Sequence, residues 1–282
     1  MKQRILTSLL LMSLLFFALI SEIFLFLFMI SVFFLIIIET NLYINEKNKK
    51  FRMLLYFILI AVYYFLIIFN FKNLIFYTLP VIIITFITSL YLNILELKAN
   101  KYKNIKAPQY PLIQKKGYYI ATLRESSTLF FLLGIATVFF LYESLSDLKW
   151  ILIPLMTVFS VDTFSYIFGS IFGKRKIKFI SKISPNKTIV GYVAGISFGF
   201  AAFIILNLIL GVIVESMFLL VIISILFPIL AITGDLYASA IKRNFGLKNY
   251  GNIFPGHGGL LDRLDSVILV LVCMAIVKVV TV

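Results

Sequence analysis

The segment FPGHGGLLDRLDS, residues 254–266, combines residue types that suit phosphate and metal chemistry. It holds the only histidine of the chain, His257, then two glycines, then Asp262 and Asp265 three residues apart. That spacing places both carboxylates on one face of a helix. The glycines let backbone approach a ligand, and the following helix start is predicted to offer free N–H groups to an anion.

A second polar group lies earlier in the chain, in an apolar setting. Asp235, Ser239 and Lys242 are spaced four and three residues apart, so a helix carries them on one face. Asp162 lies inside another apolar run. Carboxylates in such runs are costly and usually face a protein interior or a watery cavity. The structural alternative for each aspartate is a pair with a lysine, or a polar cap.

Carboxylates beside lysine and arginine predict a site for a metal ion and phosphates. Magnesium is usually held by one or two carboxylates, with substrate phosphates and water completing its shell. Lysine and arginine bind the remaining phosphate oxygens. The sequence has no GxxxxGK[ST] and no GxGxxG, and one histidine and one cysteine exclude an all-histidine or thiolate site.

The elements that position these residues are predicted to be membrane helices. Hydrophobic residues make up 62% of the 282 residues, against about 45–50% in soluble domains, and the mean hydropathy is +1.06. A spanning helix needs about 20 mostly apolar residues. The fold class is therefore all-α and polytopic, with about nine transmembrane helices. The predicted spans are 5–20, 23–38, 53–70, 74–95, 119–142, 150–171, 188–213, 217–240 and 260–281.

Positive charge predicts the orientation of these spans. With the N-terminus inside, 21 of the 26 lysines and arginines fall in inner segments, and only Lys72 and Lys149 fall in outer loops. Because basic residues mark the cytoplasmic side, the C-terminus is predicted to lie outside. The basic residues are scattered over short loops, so a nucleic-acid partner is not expected. Their other role is attraction to anionic membrane lipid.

Two regions are predicted within the chain. Residues 1–150 form about five N-terminal spans, and 151–282 form a C-terminal catalytic region with cytoplasmic loops at 172–187 and 242–259. The sixth and eighth spans end inside and the ninth starts there. All four aspartates of these spans are thus expected toward one membrane face.

The stretch SAIKRNFGLKNYGNIFPGHGGLLDRLD resembles the signature of phosphatidate cytidylyltransferases, also called CDP-diacylglycerol synthases. That signature runs S-x-x-K-R, four residues, K-D, a short gap, P-x-H-G-G, two residues and D-R-x-D. A second block, VDTFSYIFG with ISPNKT, resembles the D-[ST]-x-[AS]-Y-x-x-G and SP-x-K-T segments of the family. The resemblance covers about 155–282. Matching signature positions are Ser239, Lys242, Arg243, Lys248, Pro255, His257, Gly258, Gly259, Asp262, Arg263 and Asp265.

The resemblance implies a magnesium-dependent enzyme of the cell membrane, with its active site facing the cytoplasm. It would convert CTP and phosphatidate to CDP-diacylglycerol and pyrophosphate. One or two magnesium ions, an added monovalent cation and a homodimer all stay open.

Site residues carry over position by position. The implied metal ligands are Asp235 and Asp262. The implied catalytic residues are Asp235, Lys242, Arg243, His257, Asp262, Arg263 and Asp265. The implied substrate-binding residues are Ser184, Lys187, Thr188, Ser239, Lys248, Asn249, Gly258 and Gly259.

Three positions depart from the family pattern, and each lacks a carboxylate. Asn249 stands where the family usually has Asp, and Ala238 and Val190 stand where it often has Glu. These departures are expected to weaken metal binding. Asn249 still offers a carbonyl oxygen.

The proposed chemistry needs no general base, because the second pKa of a phosphate monoester is about 6 and phosphatidate is already mostly dianionic. His257 is therefore expected to position a group or anchor the loop. Two other functions stay open: a CTP-dependent kinase of a lipid alcohol such as polyprenol or phytol, and a cation-coupled transporter. Pyrophosphate release from CTP that requires phosphatidate would separate them.

Overall fold

Apolar runs become helices because backbone N–H and C=O groups in lipid must pair within the segment. The computed structural model describes residues 21–41, 54, 56, 58, 74–99, 117–141, 148–177, 180–210, 216–254 and 258–281. In this part of the chain the regular elements are all helices. They are α1 (Glu22–Asn41), α2 (Leu74–Ala99), α3 (Gly117–Leu141), α4 (Lys149–Phe172), the short α5 (Ile180–Ile183), α6 (Ile189–Leu210), α7 (Met217–Asn244) and α8 (Leu261–Thr281).

Five helices among the described residues are long and apolar enough to cross a membrane, and the protein is a membrane protein. They are α4, α6, α7, α8 and the stretch Thr78–Leu95 of α2. Seven of the nine predicted spans coincide with a helix, those of α1–α4 and α6–α8. The first predicted span and most of the third lie outside the described residues. The count of nine therefore stays a prediction.

The chain divides into two compact units. The first comprises Met1–Ala136 and Ile241–Arg263, and the second comprises Thr137–Ala240 and Leu264–Val282. These two units are defined by which residues pack together. The predicted boundary at residue 150 instead separates a catalytic region from the N-terminal spans, and it stays a prediction.

In the second unit, small residues let α4 and α6 approach closely. A side chain at Gly191 would come within 2.7 Å of the Ser165 carbonyl oxygen, and one at Gly199 within 2.5 Å of Val161 Cγ2. Glycine at such contacts is a common means of helix packing in membranes. Phe164 and Phe198 stack at 3.9 Å between ring centres and extend the same contact.

In the first unit, α7 ends at a glycine turn. Gly246 has φ +70°, and the Leu247 N–H donates to the Lys242 carbonyl oxygen at 2.7 Å. Glycine adopts this left-handed conformation without the steric cost that other residues meet. The turn stops the helix two residues after Lys242, and the polar loop that leads to α8 begins there.

Candidate active site

In the first unit, Asp262 lies in the first turn of α8 and accepts three hydrogen bonds. Lys242 Nζ donates to its Oδ1 at 2.7 Å. The backbone N–H groups of Tyr250 and Gly259 each donate to its Oδ2 at 2.9 Å. The side chains of Lys242 and Asp262 are each only 8% exposed. Asp262 therefore joins the end of α7, the loop and the start of α8 in one buried polar cluster.

The loop before α8 is shaped by Gly258. Its φ is +90°, and a β-carbon there would lie 2.8 Å from Asp262 Oδ2 and 3.3 Å from Asn249 Cγ. Only glycine fits at position 258, and the side chains of Asn249 and Asp262 both lie next to it. Gly258 also exchanges two backbone hydrogen bonds with Phe254, which closes the turn. Pro255 and His257, inside that turn, lie outside the described residues.

Glu39, at the end of α1, is a site residue that the sequence analysis did not select. Its side chain is fully buried, and it accepts hydrogen bonds from Leu260 N at 2.6 Å and Leu261 N at 2.8 Å. Glu39 follows the predicted span 23–38, and burial raises the pKa of its carboxyl despite those two N–H donors. An acidic residue ending an apolar run on the predicted inner side was the available signal.

These bonds correct one prediction about the start of α8. The N–H groups of residues 259–261 were expected to be free for an anion. Instead, Gly259 donates to Asp262, and Leu260 and Leu261 donate to Glu39. Protein carboxylates thus occupy the three backbone donors that were predicted to bind an anion.

The second unit contains its own lysine–aspartate pair. Lys187 Nζ forms an ion pair with Asp235 Oδ2, and Ser239 Oγ donates to Asp235 Oδ1 at 3.3 Å. The predicted shared face of Asp235 and Ser239 is confirmed by this bond. Lys187 also lies 5.8 Å from the centre of the Tyr192 ring. The two side chains of the ion pair are 26% and 20% exposed, so a ligand has access to them.

Asp162 and Asp265 also belong to the second unit, near the same helix turn of α8. The Ser266 hydroxyl donates to Asp162 Oδ2 at 3.2 Å, and the Ser266 N–H donates to Asp265 Oδ1 at 2.9 Å. A β-carbon on Gly234 would lie 2.8 Å from the Asp265 carbonyl oxygen. The helix turn around Asp235 thus packs against the turn of α8 that carries Asp265. The convergence of all four aspartates at one membrane face stays a prediction.

The other predicted site residues take structural or exposed positions. Thr188 is buried and its hydroxyl accepts from Gly191 N at 3.2 Å, which caps α6. Arg243 Nη1 donates to the Leu247 carbonyl oxygen at 2.6 Å and supports the turn after α7. Ser184 is partly buried next to the short α5. The side chains of Lys248, Asn249 and Arg263 are exposed.

Comparison with known proteins identifies the family. A model described as "Cytidylyltransferase family" matches residues 2–281. The chain belongs to the cytidylyltransferase family.

Curated relatives in the family share part of this chain. A phosphatidate cytidylyltransferase of Staphylococcus saprophyticus is 42% identical over 136 residues, 47% of this chain and 50% of the relative. One of Staphylococcus epidermidis strain RP62A is 41% identical over 142 residues, 49% of this chain and 52% of the relative. One of Staphylococcus aureus strain COL is 40% identical over 141 residues, with the same shares. The chain thus matches about half the length of these relatives.

The donor chemistry of this cytidylyltransferase-family chain fits magnesium better than a softer metal. Among the described residues there is no group of three or more His, Cys, Asp or Glu side chains that could hold a metal by protein ligands alone. Magnesium does not need one, because one or two carboxylates suffice when phosphates and water complete its shell. Asp235 Oδ1 accepts only a long 3.3 Å bond from Ser239, so it retains capacity for a cation.

Proposed function

We propose that this protein transfers the cytidylyl group of CTP to phosphatidate and releases CDP-diacylglycerol and pyrophosphate. Membership of the cytidylyltransferase family and the names of the partial relatives support this function. The observation that carries it is the pairing of Lys242 with Asp262, at 2.7 Å and almost fully buried. Both residues belong to the signature that the sequence resembles. A buried ion pair adds little net stability, so a chemical role accounts better than a structural one for the burial of these two charges.

The proposed reaction is a single displacement at phosphorus. A phosphate oxygen of phosphatidate attacks the α-phosphorus of CTP, and the bond from that phosphorus to the bridging oxygen of the β-phosphate breaks. The electron pair stays with that oxygen, and pyrophosphate leaves. No proton has to be removed, since the attacking phosphate is mostly dianionic near neutrality.

The main obstacle is the repulsion between two polyanions, and lysines reduce it. Lys187 forms an ion pair with Asp235, and Lys242 forms one with Asp262. A triphosphate carries more charge than a carboxylate and competes for the same ammonium groups. In the proposed mechanism these lysines bind phosphate oxygens as substrate enters, and they stabilise the charge that develops on the leaving pyrophosphate.

Magnesium is the proposed cofactor, and Asp235 and Asp262 are its proposed protein ligands. Bound there, it would neutralise phosphate charge and orient the leaving group. A lysine that moves from its aspartate to a phosphate would leave that carboxylate open to the cation. Asn249, beside Asp262, offers a further oxygen without charge.

The proposed topology has nine spans, the N-terminus in the cytoplasm and the C-terminus outside. The excess of basic residues in the predicted inner segments supports it. CTP is dissolved in the cytosol and phosphatidate lies in lipid, so their phosphates meet only near the headgroups. Polar side chains at the ends of apolar helices suit that depth.

The products of a labelled nucleotide test this function directly. Purified protein is given CTP labelled at the α-phosphorus, magnesium, and either phosphatidate or a polyprenol. Cytidylyl transfer moves the label into lipid and releases pyrophosphate only with phosphatidate. A lipid-alcohol kinase would instead leave the label in soluble CDP. Turnover with polyprenol alone, or label that stays in CDP, would refute the proposal.

A further inference from the structure

We propose that Glu39 is a positioning residue, which holds the loop before α8 and thereby fixes the orientation of Asp262. The catalytic part of this role rests on the proposed cytidylyl transfer. Glu39 lies 200 residues before Ser239, where the signature begins, and no motif includes it.

The first support is the way in which the Glu39 carboxylate is used. It is fully buried, and its two oxygens accept from two consecutive backbone N–H groups, those of Leu260 and Leu261. Buried charge is costly unless it is hydrogen-bonded, and the first N–H groups of a helix lack partners within the helix. Glu39 therefore caps α8 from a different helix, immediately before Asp262.

The second support is the fit of the loop around this carboxylate. A β-carbon on Gly251 would lie 2.8 Å from Glu39 Oε1. A β-carbon on Gly259 would collide with the same oxygen and lie 2.7 Å from Gly251 N. Two loop glycines eight residues apart, Gly251 and Gly259, thus make room for Glu39, so two separate parts of the loop pack against its carboxylate.

The third support is the way in which the backbone N–H groups of the loop are shared between Glu39 and Asp262. Its Oδ2 accepts from Tyr250 N and Gly259 N, while Glu39 takes the next two N–H groups of the chain. Four backbone donors of this loop are thereby divided between two carboxylates. Without Glu39, the N–H groups of residues 260 and 261 would compete for Asp262, whose oxygens the proposed reaction needs.

Glu39→Gln tests this role with little change in size. A carboxamide oxygen accepts one N–H, but its NH₂ group faces the other donor, so one bond is lost. Amide hydrogen exchange at residues 250–262 is expected to rise at least tenfold. With CTP and phosphatidate, kcat is expected to fall at least tenfold while KM for phosphatidate changes less than twofold.

Asn93→Ala is the matched control in the same unit. Asn93 is buried on α2, and its Oδ1 accepts from Asn244 Nδ2 at 2.7 Å, so the variant also removes a buried polar contact between helices. It is expected to lower thermal stability and to leave exchange at 259–262 and kcat per folded molecule within about twofold.

Gly251→Ala adds a β-carbon that presses on the same carboxylate from the loop. It provides a second test of the role if the Glu39 variant fails to fold. Its effect on kcat is expected to be several-fold alone and to shrink in a Glu39→Ala background, since the obstructing oxygen is then gone. Full additivity of the two changes would overturn the proposal.

The outcomes separate this role from the proposed function. Unchanged exchange in Glu39→Gln, or increased exchange with normal kcat, would overturn the positioning role. A wild-type protein that exchanges slowly at 260 and 261 but never consumes CTP would refute cytidylyl transfer. In that case the exchange comparison still decides whether Glu39 holds the loop.

Discussion

Single carboxylates decide the proposed chemistry at the scale of residues, and Asp235 and Asp262 are the two to test. Asp235→Asn and Asp262→Asn keep size and polarity but remove a charge that would face a cation. Each is expected to lower the specific activity at least a hundredfold, which corresponds to about 2.8 kcal/mol of transition-state stabilisation. Asp162→Asn, at an exposed side chain, should have a milder effect. Activity is measured on monodisperse protein in detergent, and near-normal turnover of either variant contradicts its role as a metal ligand.

The buried pair of Lys242 and Asp262 allows stability and chemistry to be separated. Lys242→Met alone leaves a buried carboxylate without its ammonium partner, and we expect it to lower both thermal stability and activity. Adding Asp262→Asn removes the unpaired charge. The double variant is expected to regain most of the thermal stability and to remain inactive. Recovery of activity along with stability would indicate a purely structural pair.

Asn249, where the family usually has Asp, predicts a measurable effect on magnesium dependence. A β-carbon on Gly258 would lie 3.3 Å from Asn249 Cγ and 2.8 Å from Asp262 Oδ2, so both side chains lie next to Gly258. Asn249→Asp adds negative charge there and should lower the magnesium concentration needed for half-maximal rate. Asn252→Asp, at an exposed residue of the same loop, adds the same charge as a control. Equal effects of the two variants would mean that Asn249 is not close to the ion.

The helices of this protein could be predicted from sequence, but the contacts of the loop could not. Helix positions follow from apolar length, because a lipid-facing backbone has no alternative to internal hydrogen bonds. The eighth predicted span ends at residue 240, whereas α7 continues to Asn244, and its last turn carries Lys242 against Asp262. The role of Glu39 could not be predicted, because its partners are backbone N–H groups and every residue except proline has one.

Gly258 and Gly246 provide a matched pair at the scale of the loop element. Both have positive φ, so alanine adds a backbone strain of about 1–2 kcal/mol at either position. A β-carbon at Gly246 meets nothing within 4 Å, whereas one at Gly258 would lie 2.8 Å from Asp262 Oδ2. We expect Gly246→Ala to lower thermal stability through backbone strain alone, and Gly258→Ala to lower it further and to reduce activity at least tenfold, because its β-carbon also displaces Asp262. Equal activities would show that the loop tolerates displacement of Asp262.

For the whole molecule, the charge asymmetry predicts on which side of the membrane each loop lies. Lys176 and Asn252 are exposed in loops predicted to be cytoplasmic, and Cys273 is the only cysteine. In a Cys273→Ser background, Lys176→Cys and Asn252→Cys should resist a membrane-impermeant thiol reagent in intact cells and react after the membrane is opened. A cysteine added after Val282 should react from outside. The reason is energetic: lysines and arginines are retained on the cytoplasmic side, and CTP is found only there. Labelling of either loop in intact cells would contradict the topology and remove the access of CTP to Lys187 and Lys242.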